Sequence, residues 1–181
     1  MPDSSLILPC WSIIKRLDWN GNLIWEYFIP IEEYGNFQNH HDIEPLLNGN
    51  ILVICWERKT AEEALAVGRQ NINGTISPLV IIELKPIDFN SAEIVWEWHA
   101  WDHLIQDVDP SLPNFGIISE NPQLIDINLV ENLNGEYGDW LHTNSIHYSP
   151  RLNQIILSSR FLNEIFIVDH TTSTEEASNH T

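Results

Sequence analysis

The segment Leu46–Glu57 reads LLNGNILVICWE, a tight polar turn followed directly by a short apolar run. The turn holds Asn48, Gly49 and Asn50, and an Asn-Gly pair supplies a positive φ at little steric cost. The run after it has the length of an ordinary β-strand, which is about 5–6 residues. The segment therefore predicts a strand that is entered from a tight hairpin turn.

The same alternation of apolar runs and turn residues continues along the chain, and long helical periodicity is missing. Asn20 and Gly21 form a second Asn-Gly turn between two of the runs. The further predicted strands are Trp11–Leu17, Leu23–Phe28, Leu79–Leu84, Ile94–His99, Ser145–Tyr148, Gln154–Ser159 and Glu164–Asp169. This pattern predicts an all-β fold.

Two short helices are predicted in connecting segments. Thr60 can serve as an N-cap with Glu63 as its reciprocal capping-box partner, and Gly68 ends that helix. Similar start chemistry occurs at 172–177. We expect insertions at about 58–77 and 99–139, and loops this long inside a compact domain are usually functional.

Two pairs of segments resemble each other, which suggests an internal repeat. Residues 18–26 resemble residues 88–97, and His41 with the turn after it resembles His142 with the turn after it. Strand-rich units that repeat with turn signals are typical of propeller blades, and a β-sandwich with coincidental similarity is the alternative. A closed propeller needs at least about four blades of four strands, which is more strands than the sequence predicts. We therefore expect one domain over residues 1–181, a partial β-propeller, with an aromatic residue of each unit packed between blades.

The composition excludes several classes of function. The chain has 8 basic and 26 acidic residues and a net charge of -18, so its surface repels a nucleic-acid backbone. An anionic membrane surface is disfavoured for the same reason, and no apolar run approaches the about 20 residues that span a bilayer. The first ten residues lack the basic start and long apolar stretch of a signal peptide. Cys10 and Cys55 lie in apolar runs, so we expect two buried thiols, with a single disulfide as the alternative.

Eight histidines are the residues most able to carry chemistry. They are His40, His41, His99, His103, His142, His147, His170 and His180. In a propeller the innermost strand of each blade begins near the central channel, so His41 and His142 are expected to face the same channel. Arg160 ends the strand that follows, and its planar guanidinium suits a tetrahedral oxyanion. A hydrogen-bonded structural role is the more common alternative for three others, His147, His170 and His180.

Two other functions are alternatives. His99, Asp102 and His103, with an acidic loop after them, contain ligand types that suit Zn²⁺ or Ca²⁺, although their spacing matches no metal-binding signature. A propeller can also serve as a non-catalytic binding platform, because one fold hosts many unrelated functions.

Six strings of residues are similar to one known family. They are HHD at 40–42, LNGNIL at 47–52, WEWHAWDHLIQD at 96–107, DWLHTNSI at 139–146, NQIILSSR at 153–160 and NEIFIVDH at 163–170. The last three together are fairly specific, whereas the NGN turn alone is weak. On these residues the chain, from about Trp11 to its end, resembles the arylsulfotransferase (aryl-sulfate sulfotransferase) family.

The resemblance implies a six-bladed propeller, of which this chain would form about two to three blades. It implies an enzyme that moves a sulfuryl group from an aryl sulfate to a phenol without a nucleotide sulfate donor or other cofactor. The implied residues are catalytic His41, His142 and Arg160 and substrate-binding His40, Asn144 and His170. It also implies that a histidine of a later blade carries the sulfuryl group, so we expect this chain to lack the nucleophile.

The implied chemistry assigns a role to each catalytic residue. By analogy with phosphoryl transfer, Arg160 would hold the sulfuryl oxygens, while His142 and His41 act as acid and then base on the phenol oxygen. Because the surface is acidic, an anionic substrate requires a locally positive channel. The resemblance further implies a periplasmic or secreted location, and a homo-oligomer is compatible with it.

Overall fold

A computed structural model of the chain describes residues 5–10, 12–29, 37–130 and 138–179. Over these residues the strands are β1 Leu6–Cys10, β2 Ile13–Leu17, β3 Leu23–Phe28, β4 Gln38–Pro45, β5 Ile51–Trp56, β6 Leu79–Pro86, β7 Ala92–His99, β8 Leu104–Ile105, β9 Ile125–Asp126, β10 Thr143–Ser149, β11 Gln154–Ser159 and β12 Glu164–Asp169. The helices are α1 Ala61–Ala66 and α2 Thr174–Ala177, with 3-10 turns at Ala100–His103 and Ile118–Glu120. Trp11, where a predicted strand begins, and His180 lie outside the described residues.

The strands form three antiparallel meanders, in which neighbours along the chain are also neighbours in the sheet. Sheet 1 has the order β1-β2-β3, sheet 2 the order β4-β5-β6-β7, and sheet 3 the order β10-β11-β12. A small parallel pair, β8-β9, lies within the long insertion. Over the described residues none of the sheets closes on itself. The predicted all-β fold with short helices is confirmed, and the partial propeller stays a prediction.

Strands β5 and β6 are buried on both faces, which explains their unbroken apolar sequences. Along β5, Leu52 and Ile54 pack in a cluster with residues of sheet 3. Val53 and Cys55 pack in a second cluster with residues of sheet 1. Because successive side chains of a strand point to opposite faces, sheet 2 lies between sheets 1 and 3 and contributes to both hydrophobic cores.

Two tryptophans at equivalent positions of the repeat join neighbouring sheets in the same way. Trp25 of β3 and Trp96 of β7 are both buried. The Trp25 indole N–H donates to the carbonyl of Ser91, in the β6–β7 turn, at 3.3 Å. The Trp96 indole N–H donates to the carbonyl of Thr172, after β12, at 3.0 Å. The expected aromatic residue between repeated units is therefore present in both pairs of sheets.

The first strands of the three sheets lie close together, with β4 against both β1 and β10. Two carboxylates of β4 join it to β10. Asp42 accepts the backbone N–H of Ile146 at 3.1 Å. Glu44 accepts the backbone N–H of Tyr148 at 3.2 Å. These side chains occupy donors of an edge strand that would otherwise be open to pairing, and they hold β4 and β10 together without forming one sheet.

Both helices begin as predicted. Thr60 accepts the backbone N–H of Glu63, whose side chain caps Thr60 in return, and Ser173 and Glu176 repeat this box at α2. Gly68 follows α1 with φ +86°, the left-handed conformation that ends many helices. None of the described helices is long and apolar enough to cross a membrane.

The two cysteines are free thiols in different environments. Cys55 is buried in β5, and burial raises the pKa of its thiol. Cys10 is exposed. The expectation that both are buried is wrong for Cys10, because it is the last residue of β1, an edge strand that pairs in its sheet with β2 alone among the described strands.

Candidate functional site

A cavity of about 370 Å³ opens where β1, β4 and β10 meet. Its lining residues are Pro9, Asn39, His40, His41, Trp56 and His142. Pro9 lies in β1, the two adjacent histidines lie in β4, and His142 directly precedes β10. Three imidazoles that enter from two sheets therefore share one cavity.

His41 and His142 have the same unusual backbone conformation. Their φ angles are +53° and +47°, in the left-handed region that residues other than glycine seldom occupy. The pairing of β4 with β5 is interrupted between Asn39 and Ile43, and that of β10 with β11 is interrupted just after His142. Such bulges re-aim side chains, and here they bring the two ring centroids to 4.9 Å from each other.

The surroundings of His41 keep its imidazole neutral at pH 7. Burial lowers the pKa of His41, and the neighbouring His142 lowers it further, against smaller opposite effects of Asp139 and Asp42. A neutral imidazole donates a hydrogen bond through one nitrogen and accepts through the other. His41 can therefore serve as donor or acceptor to a ligand oxygen.

His142 is paired with a carboxylate three residues earlier. Asp139 Oδ2 forms a short hydrogen bond with Nδ1 of His142, and Asp139 Oδ1 accepts the His142 backbone N–H at 3.2 Å. The two side chains are only 19% and 14% exposed. The ring of Phe161 also lies against the imidazole, with 5.0 Å between centroids. Because Nδ1 is engaged, Nε2 is the ring nitrogen available to a ligand.

His40 stacks on Trp56, and these two residues form the aromatic wall of the cavity. Their ring centroids are 4.1 Å apart and their planes differ by 16°. Burial lowers the pKa of His40 to about 3, with repulsion from the two other imidazoles adding to this and the backbone of Cys55 opposing it. Neither ring nitrogen of His40 makes a hydrogen bond of normal geometry, nor does the buried side-chain oxygen of Asn39. The aromatic wall is thus uncharged and carries unused polar atoms.

Arg160 and Asn144 line a second, more open cavity of about 400 Å³. The backbone N–H of Arg160 donates to the His142 carbonyl at 3.1 Å. The Arg160 side chain is exposed, and its guanidinium lies over the ring of Phe161, 5.5 Å from the centroid. The structure therefore places the predicted arginine next to the histidine pair along the backbone, and the Phe161 ring contacts both the guanidinium and the His142 ring.

His170 lines neither of these cavities. Its Nε2 pairs with Glu83 at 2.8 Å, and its Nδ1 contacts the side-chain oxygen of Asn153 at 3.2 Å. Burial favours a higher pKa for Glu83, but hydrogen bonds from His170 and Asn50 outweigh it and lower the pKa. Both ring nitrogens of His170 therefore have partners inside the protein, Glu83 of β6 and Asn153 of the β10–β11 turn.

The alternative metal site at His99, Asp102 and His103 does not form. His99 lies between Glu57 at 3.4 Å and Glu97 at 2.9 Å. Burial alone would lower the pKa of His99, but these two carboxylates raise it to about 9. The His103 ring stacks on a tryptophan of β7 and contacts a carbonyl of α2 instead. In the described ranges, no group of three or more His, Cys, Asp or Glu residues is arranged to hold a metal ion.

The sequence did not predict Asp139, which contacts the cavity residue His142, or three residues that line the cavity. Asp139 had an available signal, because it stands three residues before His142 in the DWLH string. Trp56 ends the apolar run of β5, where a core position was the simpler expectation. Asn39 carried no signal beyond its position next to the two adjacent histidines, and Pro9 carried none.

Comparison with known proteins gives one family. The model of the family described as Arylsulfotransferase (ASST) matches residues 1–175, nearly the whole chain. A search of curated proteins gave no match. Because the family match extends over more than half of the sequence, the resemblance noted from short strings is confirmed. The chain belongs to the arylsulfotransferase family.

Proposed function

We propose that the protein transfers a sulfuryl group from an aryl sulfate to a phenol, without a nucleotide sulfate donor, in the cavity that the three imidazoles share. Family membership supports an aryl sulfotransferase-type function in general. The observation that carries the finer proposal is the His41–His142 pair, with ring centroids 4.9 Å apart, in a cavity of about 370 Å³. That volume lies within the range of small-molecule sites.

The aromatic wall suits the ring of an aryl substrate. His40 and Trp56 stack on each other with nearly parallel planes, so an aryl ring can pack on the outer face of this pair, which stabilises a bound aromatic ring by about 1 kcal/mol beyond burial. Because His40 is uncharged at neutral pH, the wall offers an aryl contact rather than an anion site. The sulfuryl group is then directed toward His41 and His142.

The proposed chemistry runs in two half-reactions. In the first, the sulfur–oxygen bond of the donor breaks, the leaving phenolate keeps the electron pair, and an imidazolium of the histidine pair gives it a proton. A histidine that a further propeller blade supplies takes the sulfuryl group covalently. In the second, the acceptor hydroxyl returns a proton to the pair while its oxygen bonds to sulfur and the sulfur–nitrogen bond breaks. Protons and sulfuryl groups balance over one turnover.

Arg160 is the proposed ligand of the sulfuryl oxygens. A guanidinium binds oxyanions in a bidentate manner and stabilises charge that develops during transfer. This role requires the exposed side chain to leave the ring of Phe161 and turn toward His142, whose carbonyl already accepts the Arg160 backbone N–H at 3.1 Å. Asn144 lines the same open cavity and is proposed as a second polar contact.

We also propose that the three meanders are neighbouring blades of one partial propeller that forms a single domain. Sheet 2 packs between sheets 1 and 3, and the first strand of each sheet contributes to, or leads into, the cavity. This is the arrangement in which inner strands of blades surround a channel.

A transfer assay tests the function. The full-length protein is mixed with a chromogenic aryl sulfate and a phenol, with no nucleotide sulfate present, and phenol release and the sulfated acceptor are measured. We expect both products, and mass spectrometry after donor alone should find a sulfuryl group on a histidine. Binding of the aryl sulfate without any turnover would contradict the proposal and favour a binding platform.

A further inference from the structure

We propose that Asp139 is a positioning residue for the transfer reaction, which orients His142 and fixes Nε2 as the atom that gives and takes the proton. The inference rests on the proposed function and adds the residue that controls its acid–base group. Asp139 does not line the cavity and acts through His142.

The carboxylate holds His142 at two points. Oδ2 is bonded to Nδ1 of the ring, and Oδ1 accepts the backbone N–H at 3.2 Å. A side chain held at both ring and backbone cannot rotate freely, and a carboxylate on Nδ1 keeps the proton on that nitrogen in the neutral form. The lone pair of the neutral ring is then on Nε2.

Both members of this pair are anchored to strands. Residue 139 makes a parallel bridge to Ser77, just before β6, and the Gly138 carbonyl accepts the Ser77 N–H at 2.9 Å. The His142 carbonyl accepts the N–H of Arg160 at the end of β11 at 3.1 Å. The Asp139–His142 pair is therefore fixed by two sheets, as precise positioning requires.

The charged and titratable groups around His142 differ from those around His41, so the two imidazoles have different roles. Asp139 is the carboxylate that bonds its ring, His41 and His40 face it in the cavity, and Arg160 lies beyond Phe161. Asp139 bonds Nδ1 of His142 and leaves Nε2 as the nitrogen toward the cavity. Burial and the neighbouring His142 lower the pKa of His41, so we assign the proton transfer to His142 and a neutral hydrogen-bonding role to His41.

As the donor S–O bond breaks, Nε2–H of the His142 imidazolium passes its proton to the leaving phenolate oxygen, and His142 becomes neutral. As the acceptor oxygen bonds to sulfur and the sulfur leaves its histidine carrier, the acceptor proton passes to Nε2. Asp139 keeps its hydrogen bond to Nδ1 in both steps and so holds the orientation of the ring.

The variant Asp139→Asn separates positioning from a structural role. An Asn side-chain oxygen can still accept the His142 backbone N–H, but the amide cannot stabilise an imidazolium as a carboxylate does. Glu44→Gln is the matched control, because Glu44 of β4 is also a carboxylate paired with an imidazole, that of the exposed His147 of β10, at 3.1 Å. Thermal unfolding shows that each variant is folded.

Two measurements test whether Asp139 positions His142 for the reaction. In the full-length protein Asp139→Asn should lower kcat by about 10²-fold or more with KM changed a few-fold, and should shift the pH profile of kcat, whereas Glu44→Gln changes neither. Nitrogen-15 NMR of the His142 ring should show Nδ1–H in the wild type and a changed tautomer or protonation in Asp139→Asn. An unchanged ring spectrum, or a changed spectrum with unchanged kcat, would overturn the inference. If no transfer occurs even in the wild type, the proposed function and the catalytic role fall together, and the NMR result alone then shows whether Asp139 sets the ring state.

Discussion

The imidazole rings of His41 and His142 lie with their centroids 4.9 Å apart, although they enter the cavity from different sheets. Both residues have a left-handed φ, +53° and +47°, next to an interruption of strand pairing. A left-handed conformation costs a residue with a side chain about 1–2 kcal/mol. The same left-handed backbone conformation in two repeats therefore positions both histidines, and it lowers the free energy of unfolding.

Because of this strain, we expect glycine to be better tolerated than alanine at position 41, the reverse of the usual order in a strand. His41→Gly should be more stable than His41→Ala by about 1 kcal/mol, because glycine adopts positive φ without the clash of a Cβ. His147 is an exposed residue of β10 without a positive φ. The same two substitutions there should give the ordinary order, with alanine more stable. Urea unfolding of the four variants measures this, and equal orders at the two positions would contradict the strain.

His99 predicts a loss of stability in mild alkali. Its pKa is raised to about 9 in the folded protein by Glu57 and Glu97, against burial, from an ordinary value of 6.5. The protonated form is therefore stabilised by folding, and this contribution is complete below pH 6.5 and is lost as the pH rises through 9. Its size is on the order of 3 kcal/mol.

The measurement is the free energy of unfolding in urea at several pH values across that window. The wild type should lose more stability than His99→Gln, because the variant has no proton to lose at this position. Other titrating groups act on both proteins alike. Parallel curves for the two proteins would show that the His99 ion pairs contribute nothing.

We expect that position 138, beside the candidate site, has no room for a side chain. A Cβ on Gly138 would lie 1.8 Å from the carbonyl oxygen of Thr75, and φ at this glycine is +62°. Gly138→Ala should therefore destabilise the protein by more than about 2 kcal/mol and displace the adjacent Asp139. Gly74→Ala is the control, since Gly74 also has a positive φ, +106°, but open space around it. Equal melting temperatures of the two variants would contradict the clash.

We expect transfer of the sulfuryl group to require the positive charge of the Arg160 guanidinium. Arg160→Ala should lower kcat/KM for an aryl sulfate by about 10²-fold or more, and Arg160→Lys should recover only part of it, because lysine lacks the bidentate fork. Arg151, an exposed arginine in the β10–β11 turn, supplies the control variant Arg151→Ala. If both alanine variants keep wild-type kinetics, the Arg160 guanidinium takes no part in the transfer reaction.

Much of the fold follows from local signals in the sequence. The Asn-Gly turns, the short apolar runs and the two capping boxes depend on neighbouring residues, so they predict β2, β3, β5 and both helices. The strand β4 was not predicted, because its sequence QNHHDIEP is polar. Its polar side chains face a cavity and a neighbouring edge strand, as Asp42 shows by accepting the N–H of Ile146 at 3.1 Å.

The candidate site was predictable only where the repeat was visible. His41 and His142 occupy equivalent repeat positions, which is why the sequence alone predicts that they face the same channel. The contact between Asp139 and the His142 ring depends on a turn whose geometry the sequence does not display. The position of the exposed Arg160 side chain over the ring of its sequence neighbour Phe161 is likewise a choice of side-chain rotamer that the sequence does not display. Sheet closure depends on non-local contacts, which no run of residues specifies.

The most direct test of the account compares single histidine variants in one aryl sulfate-to-phenol transfer assay. His142→Gln and His41→Gln remove imidazoles from the cavity, whereas His147→Gln removes an exposed imidazole of β10. We expect the first two variants to lower kcat by about 10²-fold or more and the third to leave it unchanged. Wild-type kcat in folded His142→Gln and His41→Gln would contradict it.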